Sequence, residues 1–194
     1  MIVKHLIIVL MELVLLLSAA SYIFATTHLQ LSNATKDTIF GDTLNATTIT
    51  TSADTTNKTR QDSTIGDVVH SFEESFTKLV NDTRSLSLSY QNEIAKWQLN
   101  QYDNGSMISI TNDYLVKFQE IAKEYQELKP PSEGYKRALD LFAKSIQSEM
   151  ASYIHFRNFL ATSNLKEDER SIQLLSDAYK YEKESFDAFK AAAN

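Results

Sequence analysis

Apolar residues recur at steps of three and four along the last two-thirds of the chain, a pattern that predicts amphipathic α-helices. Turn signals divide the pattern into four runs. The first run ends before Asp103–Ser106, the second ends at Lys129–Pro131 and the third at Thr162–Asn164. Asp, Asn and Gly favour turns, and a proline disfavours helix for the residue before it. We therefore expect four helices within residues 65–194.

The residues predicted to face the core are the members of four apolar stripes, one on each helix. They are Val69, Phe72, Phe76, Leu79, Thr83, Leu86, Tyr90, Ile94 and Trp97; Met107, Ile110, Tyr114, Phe118, Ile121, Tyr125 and Leu128; Tyr135, Leu139, Phe142, Ile146, Met150, Tyr153, Phe156 and Leu160; and Leu165, Ile172, Leu175, Tyr179, Phe186 and Phe189. Their spacing is close to 3.5 residues, which predicts coiled-coil-like packing. Short connections predict an antiparallel, up-down-up-down four-helix bundle.

The two ends of the first predicted helix are defined by local signals. Thr64-x-x-Asp67 has the pattern of a capping box and predicts the start of the helix. At the other end, residues 98–108 leave an alternative open, because they could continue as helix. The first two helices would then be one long bent rod.

The N-terminus carries a different pattern, a predominantly apolar run at residues 6–25 whose one charged residue is Glu12. Twenty helical residues span about 30 Å, the thickness of the hydrocarbon core of a bilayer. Lys4 precedes the run and no further Lys or Arg follows until Lys36, which predicts a single-pass anchor with the N-terminus inside and the remainder outside the cell membrane. The alternative is a signal peptide cleaved near Ser18–Ala20, which would release a secreted protein.

Residues 26–64 form a third compositional class, rich in threonine and poor in aromatic residues. Such a segment cannot bury enough apolar area to repay its ordering entropy, so a disordered stalk is predicted. Five Asn-x-Ser/Thr triplets make the chain a candidate glycoprotein, and an unmodified stalk is the alternative. The candidate glycosylation sites are Asn33, Asn45, Asn57, Asn81 and Asn104. In style, a cysteine-free chain of this kind resembles archaeal cell-envelope proteins.

Composition narrows the chemistry that we expect. The chain contains no cysteine, which excludes disulfides, thiolate catalysis and thiolate metal sites. The net charge is −6 and no Lys/Arg cluster is present, so nucleic acid is not an expected partner. A di-metal carboxylate bundle needs repeated Glu-x-x-His, whereas His70 and Glu73 stand in the reverse order once. His155 is expected at the surface or the edge of the core. We therefore expect no cofactor, no metal site and no enzymatic activity.

Two features of the predicted core leave alternatives open. Glu149 lies near the inner stripe of the third helix, where we expect a boundary residue that reaches solvent; the alternative is a buried acid with a partner. Six aromatic residues are expected to be core with their polar groups at the rim, and the alternative is a ligand pocket between helices. They are Tyr90, Trp97, Tyr114, Tyr125, Tyr153 and Tyr179.

Residues 114–160 resemble a helical hairpin of uncharacterised exported or membrane-anchored proteins from archaea and Gram-positive bacteria. In those proteins a helix ends in Leu-x-x-Leu-x-Pro-Pro and a second amphipathic helix follows. The corresponding stretch is Tyr125-Gln-Glu-Leu128-Lys-Pro130-Pro131, with tyrosine at the first position. The resemblance implies a fold and an exported location, without an activity. The lipid-modified cysteine that is common in that group has no counterpart in this chain.

These observations predict three regions: an anchor or signal peptide at 1–25, a stalk at 26–64 and a helical bundle at 65–194. The predicted function is a non-enzymatic interaction or structural role at the cell envelope, with a partner protein or a second copy of the chain. The alternative is a ligand-binding sensory head for a small molecule. Because only Met1–His5 would lie inside the cell, such a sensor would have to signal through a partner membrane protein.

Overall fold

The computed structural model describes residues 56–194, with side chains from Gly66 onwards. This part of the chain contains four α-helices and no strand: α1 (Thr56–Gln98), α2 (Asn104–Glu127), α3 (Glu133–Thr162) and α4 (Leu165–Ala193). The prediction of an all-helical protein with four helices is confirmed for this range.

The predicted anchor at 1–25 and residues 26–55 of the predicted stalk lie outside the described residues. Within residues 56–194, none of the four helices combines the length and the apolar character needed to cross a membrane.

Helix α1 begins at Thr56, eight residues before the predicted capping box at Thr64. The prediction of the helix start was therefore wrong, and residues 56–64 of the predicted stalk are helical. This stretch contains no glycine or proline that would stop a helix. Extending an existing helix is also easier than starting one, because the costly first turn is already formed.

The end of α1 is a turn built on Asn100, which adopts the left-handed conformation at φ 59°. The Asn100 N–H donates to the Trp97 carbonyl at 2.9 Å, and the Gln101 N–H donates to the Lys96 carbonyl at 3.0 Å. This pair of bonds is the Schellman motif, in which asparagine is an accepted alternative to glycine. The continuous-rod alternative is therefore wrong, because α1 and α2 are separate helices.

Helix α2 starts at the residues that were predicted to form the turn. The side chain of Asp103 accepts a hydrogen bond from the Ser106 N–H at 2.7 Å, which makes Asp103 the N-cap. Asn104, Gly105 and Ser106 consequently form the first turn of α2, and the connection occupies residues 99–103. The turn signal indicated the right place but belonged to the beginning of the next helix.

The two remaining connections agree with the prediction. Helix α2 ends at Glu127, before the proline pair, and Ser132 is the N-cap of α3. Helix α3 closes on Ser163, which has a left-handed φ of 57°. Asn164 then caps α4 by accepting from the Lys166 N–H at 3.1 Å.

Helices α3 and α4 form an antiparallel hairpin that is held together by small residues. On each helix three of them stand seven residues apart, so that each faces its counterpart on the other helix. Ser185 donates to the Ala138 carbonyl at 2.7 Å, Ser145 donates to the Ala178 carbonyl at 2.8 Å, and Ser152 bonds to Ser171 at 3.1 Å. A serine hydroxyl reaches a backbone carbonyl of the neighbouring helix only when the two backbones lie close together.

The close approach of the hairpin continues to its open end. A Cβ atom at Gly134, in the first turn of α3, would lie 2.9 Å from the Cβ of Ala192 in the last turn of α4. Glycine is required there because any side chain would force the two helices apart.

This packing corrects the predicted apolar stripe of α4. The buried positions on α4 are Asp168, Ser171, Ala178 and Ser185, whereas Leu165 is 53% exposed and the other five members of the predicted stripe are half-buried. Large side chains cannot enter a narrow interface, so they lie along its flanks.

Helix α1 packs on the hairpin through large aromatic side chains. At one end, the ring of Phe76 lies 4.9 Å from Phe189 and 5.6 Å from Phe142. At the other end, Trp97 makes an edge contact with Phe156 at 5.4 Å. Most of the predicted stripe on α1 is buried, which confirms that face of the helix.

Candidate functional site

A buried group of tyrosines surrounds one carboxylic acid midway along the described helices. We call it the tyrosine–glutamate cluster and define it as Tyr90, Tyr114, Glu149, Tyr153 and Tyr179. Helices α1 and α2 supply the first two residues, α3 supplies Glu149 and Tyr153, and α4 supplies Tyr179. All four helices thus meet at this one cluster.

The rings of the cluster fill the space between the helices. The Tyr90 centroid lies 4.2 Å from that of Tyr153 and 5.0 Å from that of Tyr114. Phe118 of α2 lies 5.4 Å from Tyr153 on the other side. These separations are typical of packed aromatic pairs, so the rings themselves form the core at this level.

The Tyr90 hydroxyl takes part in a hydrogen-bond chain whose direction can be assigned. Thr111 donates its single hydroxyl proton to the Met107 carbonyl at 2.7 Å. Tyr90 therefore donates to Thr111 across the 2.8 Å that separates the two oxygens. Burial raises the pKa of Tyr90 well above its usual value, because the phenolate would lose its hydration.

Two further tyrosine hydroxyls of the cluster bond to polar groups of α1. Tyr114 and Ser89 are joined at 2.5 Å, and Gln91 donates to the Tyr179 oxygen at 2.9 Å. Four of the six predicted pocket aromatics thus converge. The other two do not: Trp97 lies beside the α1–α2 turn, where its indole N–H donates to Asn104 at 3.0 Å, and Tyr125 is half-buried near the end of α2.

Glu149 is buried, so the prediction of a boundary residue reaching solvent was wrong. Its position, three residues after Ile146 and four before Tyr153, directs it to the same face as those core residues. The Tyr153 hydroxyl donates to its carboxyl group, and Ser87 of α1 provides a second hydrogen bond. This acid is therefore a direct link between α3 and α1.

Burial raises the pKa of Glu149 to about 7, since the charged form is poorly solvated inside the protein. The hydrogen bond that Tyr153 donates acts in the opposite direction, and the nearby charge of Glu182 raises the pKa further. A carboxyl group with this pKa changes its charge near neutral pH, where an ordinary glutamate is fully ionised.

Beside the cluster, a half-buried ion pair links α1 to α4. The Nε of Arg84 lies 2.6 Å from a carboxylate oxygen of Glu182. The Arg84 guanidinium also lies over the ring of Phe186 at 4.5 Å, which adds a cation–π contact. Helix α1 is therefore joined to both helices of the hairpin by charged or ionisable groups at the same level.

The histidines of the described residues lie apart from the cluster. His155 is one-third exposed at the edge of the core, as predicted, and pairs with Glu167 at 2.7 Å. This contact lowers the pKa of Glu167. His70 lies 3.1 Å from Glu74 on the exposed face of α1. From Gly66 onwards, no three His, Cys, Asp or Glu side chains are grouped in a way that could hold a metal ion.

The candidate glycosylation sites are not brought together. Asn81 is exposed on α1, as expected. The amide nitrogen of Asn104, which would carry a sugar, instead donates to the Leu160 carbonyl at 3.1 Å and ties α2 to α3. Asn57 lies at the start of α1, where side chains are not described, and Asn33 and Asn45 lie outside the described residues. Glycosylation of all five stays a prediction.

Sequence reasoning missed the small residues between α3 and α4, and also Ser87, Arg84 and Glu182. A signal for the former was present, because alanine or serine recurs every seventh residue in both helices at Ala138–Ser152 and Ser171–Ser185. Ser87, Arg84 and Glu182 had no such signal. The alternating charges along α1 and α4 that include Arg84 and Glu182 are typical of a solvated surface.

Large apolar side chains are also exposed singly on the surface. The most exposed is Leu99, at 70%, in the α1–α2 turn, and Leu165 is the first residue of α4, next to the α3–α4 turn. The bond from Asn104 to Leu160 shows that both turns lie at the same end of the helices. Single exposed leucines are common on protein surfaces.

Over residues 56–194 the chain belongs to the all-helical class, with a buried acid among tyrosines. Comparison of the chain with protein-family models, with curated proteins and with solved structures found no match.

Proposed function

We propose that the chain is a membrane-anchored protein whose helical part lies outside the cytoplasm and has a structural or interaction role rather than a catalytic one. The observation that carries this proposal is the apolar run at residues 6–25, after which no Lys or Arg occurs before Lys36. Such a run is long enough to span a bilayer, and the charge bias favours export of the C-terminal part.

In this proposal the helical part is an up-down-up-down four-helix bundle with coiled-coil-like packing. The contacts that support it join the end of one helix to the start of the next. Trp97 of α1 contacts Asn104 of α2, and Asn104 bonds in turn to Leu160 near the end of α3. The seven-residue spacing of the small residues between α3 and α4 also supports coiled-coil-like packing.

The tyrosine–glutamate cluster supports a non-catalytic role. Each tyrosine hydroxyl in it bonds to a side chain of the protein, at Thr111, Ser89, Glu149 or Gln91. A nucleophile or general base must be free to meet a substrate. In the cluster these groups satisfy one another, as expected of an interior that fixes how helices pack.

The predicted stalk between anchor and bundle completes the proposal. A disordered segment with glycosylation candidates Asn33 and Asn45 would hold the bundle away from the membrane surface. Asn81 is the candidate on the bundle itself whose side chain is exposed. The resemblance to exported archaeal and Gram-positive proteins supports an exported location for the bundle and implies no activity.

Topology tests this proposal directly. The full-length chain with a C-terminal epitope tag is expressed, and membranes are separated and washed with alkaline carbonate. We expect the chain to stay in the membrane pellet and its tag to be digested by protease added to intact cells. N-terminal sequencing of the recovered protein distinguishes an uncleaved anchor, which starts at Met1, from a cleaved signal peptide.

A matched pair of variants makes the test specific. Leu15→Arg places a charge in the middle of the apolar run and is expected to prevent membrane insertion, since such a charge costs about 2.5–3.5 kcal/mol on insertion scales. Leu31→Arg places the same charge in the predicted stalk and should leave the localisation unchanged. An unmodified chain recovered from the cytosol, with its tag protected in intact cells, would contradict the proposal.

The interaction role has its own test, because crosslinking of intact cells should produce a species larger than the monomer. Leu99→Ser and Leu165→Ser remove the two exposed leucines of the turn end, and Leu88→Ser is a control on the side of α1. A species lost only in the turn-end variants supports an interaction there. A monomer whose melting temperature rises with a specific small molecule would instead support the sensory alternative.

A further inference from the structure

The buried carboxyl of Glu149 lies between α1 and the α3–α4 hairpin and has no role in the proposed function. It touches both sides of that interface, through Ser87 on α1 and through Tyr153 on its own helix. The hairpin, in contrast, is joined internally by serines that bond to backbone carbonyls at Ala138 and Ala178. An ionisable group therefore sits in one interface and is absent from the three hydroxyl contacts that join the hairpin.

We propose that protonation of Glu149 controls how tightly α1 docks against the α3–α4 hairpin. The neutral acid latches the helix, and its ionised form loosens it. The proposal concerns the helical part alone and holds whether or not the chain is anchored in a membrane.

The hydrogen-bond geometry explains why the neutral form fits this position. Ser87 donates its hydroxyl proton to the Thr83 carbonyl at 3.0 Å, so its oxygen is free to accept another. A neutral Glu149 can donate to that oxygen while its second oxygen accepts from Tyr153. Every proton then has an acceptor, and no charge is buried.

Ionisation removes that arrangement. The carboxylate has no proton to donate, so Ser87 can bond to it only by turning its own proton away from the Thr83 carbonyl. The negative charge also lies near Glu182, which raises the cost. Glu182 already bonds to Arg84 at 2.6 Å, and that arginine is thus engaged.

The tyrosines around Glu149 do not change charge between pH 5.5 and 8.5. Burial raises the pKa of Tyr153 and Tyr179, which interact with Glu149, and of Tyr90, whose ring packs against Tyr153, so all three stay neutral. Helix α2 reaches the cluster through Tyr114, whose hydroxyl is bonded to Ser89. Burial places the pKa of Glu149 at about 7, inside this window.

A distance measurement between α1 and α4 tests the latch. The chain has no native cysteine, so Ser85→Cys on α1 and Ser176→Cys on α4, both exposed, accept spin labels at those two sites only. The full-length labelled protein is studied by pulsed electron resonance at pH 5.5 and pH 8.5. We expect one narrow distance at pH 5.5 and an added longer, broader population at pH 8.5.

The size of the effect has an upper limit. If the pKa is about 7 when docked and 4.5 when exposed, the docking equilibrium falls by at most about 30-fold between pH 5.5 and pH 8.5. Glu149→Gln mimics the neutral acid, so its distances should be the same at both pH values. Glu120→Gln, an exposed control on α2, should keep the response of the native chain.

Two results would overturn the proposal. One is a distance distribution of the native sequence that does not change with pH; the other is an equal change in Glu149→Gln. A second variant keeps the test valid should Glu149→Gln pack poorly. Ser87→Ala removes the partner on α1 and should broaden the distances already at pH 5.5, with a smaller change on raising the pH. Distances identical to those of the native chain at both pH values would exclude Ser87 as the latch partner and refute the proposal.

Discussion

The α3–α4 interface and the docking surface of α1 are built in opposite ways. Between α3 and α4 the buried contacts are alanine and serine, and serine hydroxyls reach backbone carbonyls across the interface. Between α1 and the hairpin the contacts are large rings such as Phe76, and polar links between side chains such as Arg84 and Glu182. The α3–α4 interface depends on the close approach of two backbones. The α1 interface depends on large side chains that fill the space between helices.

The difference indicates which interface responds to its surroundings. A hydrogen bond from serine to a backbone carbonyl contains no group that titrates below pH 10. The α1 interface contains Glu149, which changes charge near neutral pH, and a half-buried ion pair. The serine-bonded part of the hairpin, away from the His155–Glu167 pair near its turn, should therefore persist across conditions in which α1 loosens.

The largest effect is expected where α1 meets the aromatic end of the hairpin. Phe76→Ala removes a buried ring that contacts Phe142 and Phe189, and we expect a loss of about 3–5 kcal/mol in the free energy of unfolding. Urea unfolding of the full-length chain, followed by fluorescence of the single tryptophan, Trp97, measures it. Leu88→Ala, half-exposed on the same helix, is the control. Equal losses in the two variants would show that α1 does not dock through Phe76.

The second largest effect is expected in the pH dependence of the free energy of unfolding, because Glu149 lies in the α1 interface. The pKa of Glu149 is raised on folding from 4.5 to about 7, so the folded state holds its proton more tightly than the unfolded state. Stability from this group is therefore present below pH 4.5 and is lost as the pH rises to 7, by about 3 kcal/mol. Urea unfolding at several pH values should show this fall in the native chain and a flatter profile in Glu149→Gln. Parallel profiles would contradict the assignment.

A larger side chain in the α3–α4 interface tests how closely the two helices approach. Ala178→Leu places a large side chain at a position only 3% exposed, against the backbone of α3, and should cost about 1–3 kcal/mol because the two helices must separate. Ala95→Leu makes the same change on the exposed side of α1 and should have little effect. The free energies of unfolding of both variants are compared with that of the native chain. A tolerated leucine at 178 would mean that the interface is wider than described.

The smallest effect is expected when one serine hydroxyl is removed from the α3–α4 interface. Ser185→Ala removes the bond to the Ala138 carbonyl, which keeps its hydrogen bond within α3, so we expect a loss of about 1 kcal/mol. Ser176→Ala, on the exposed side of the same helix, should stay within about 0.5 kcal/mol of the native value. Chemical unfolding measures both. No difference between them would mean that the serine contacts follow from close packing and do not stabilise it.

Helix number and the places where the chain turns could be predicted from the sequence, because these depend on near neighbours. Periodicity marked the buried faces of α1 and α3, with Phe72, Phe142 and Tyr153 among the confirmed residues. The proline pair after α2 and the Asn164 cap of α4 were also predicted. The capping signal at Thr64 failed because α1 begins earlier, on a stretch that tolerates helix. The turn signal at Asn104 failed because this residue is the first of α2.

The candidate site was only partly predictable. Tyr90, Tyr114 and Tyr153 were correctly expected in the core, yet Glu149 was assigned to the boundary because a lone acid beside an apolar stripe usually reaches solvent. Its partner Ser87 lies 62 positions away in sequence and carries no pattern of its own. A hydrogen-bond partner this distant becomes visible only when α1 is placed against α3.

The sequence by itself determined that this part of the chain is helical, and where most of its turns lie, since propensity, caps and breakers act within a few residues. Tertiary structure alone decided which face of α4 is buried and what surrounds Glu149. Both depend on the distance between helices, and that distance is set by the side chains of two chain segments together. The repeats of small residues that include Ser145 on α3 and Ala178 on α4 form contacts only when the two helices pack with these residues side by side.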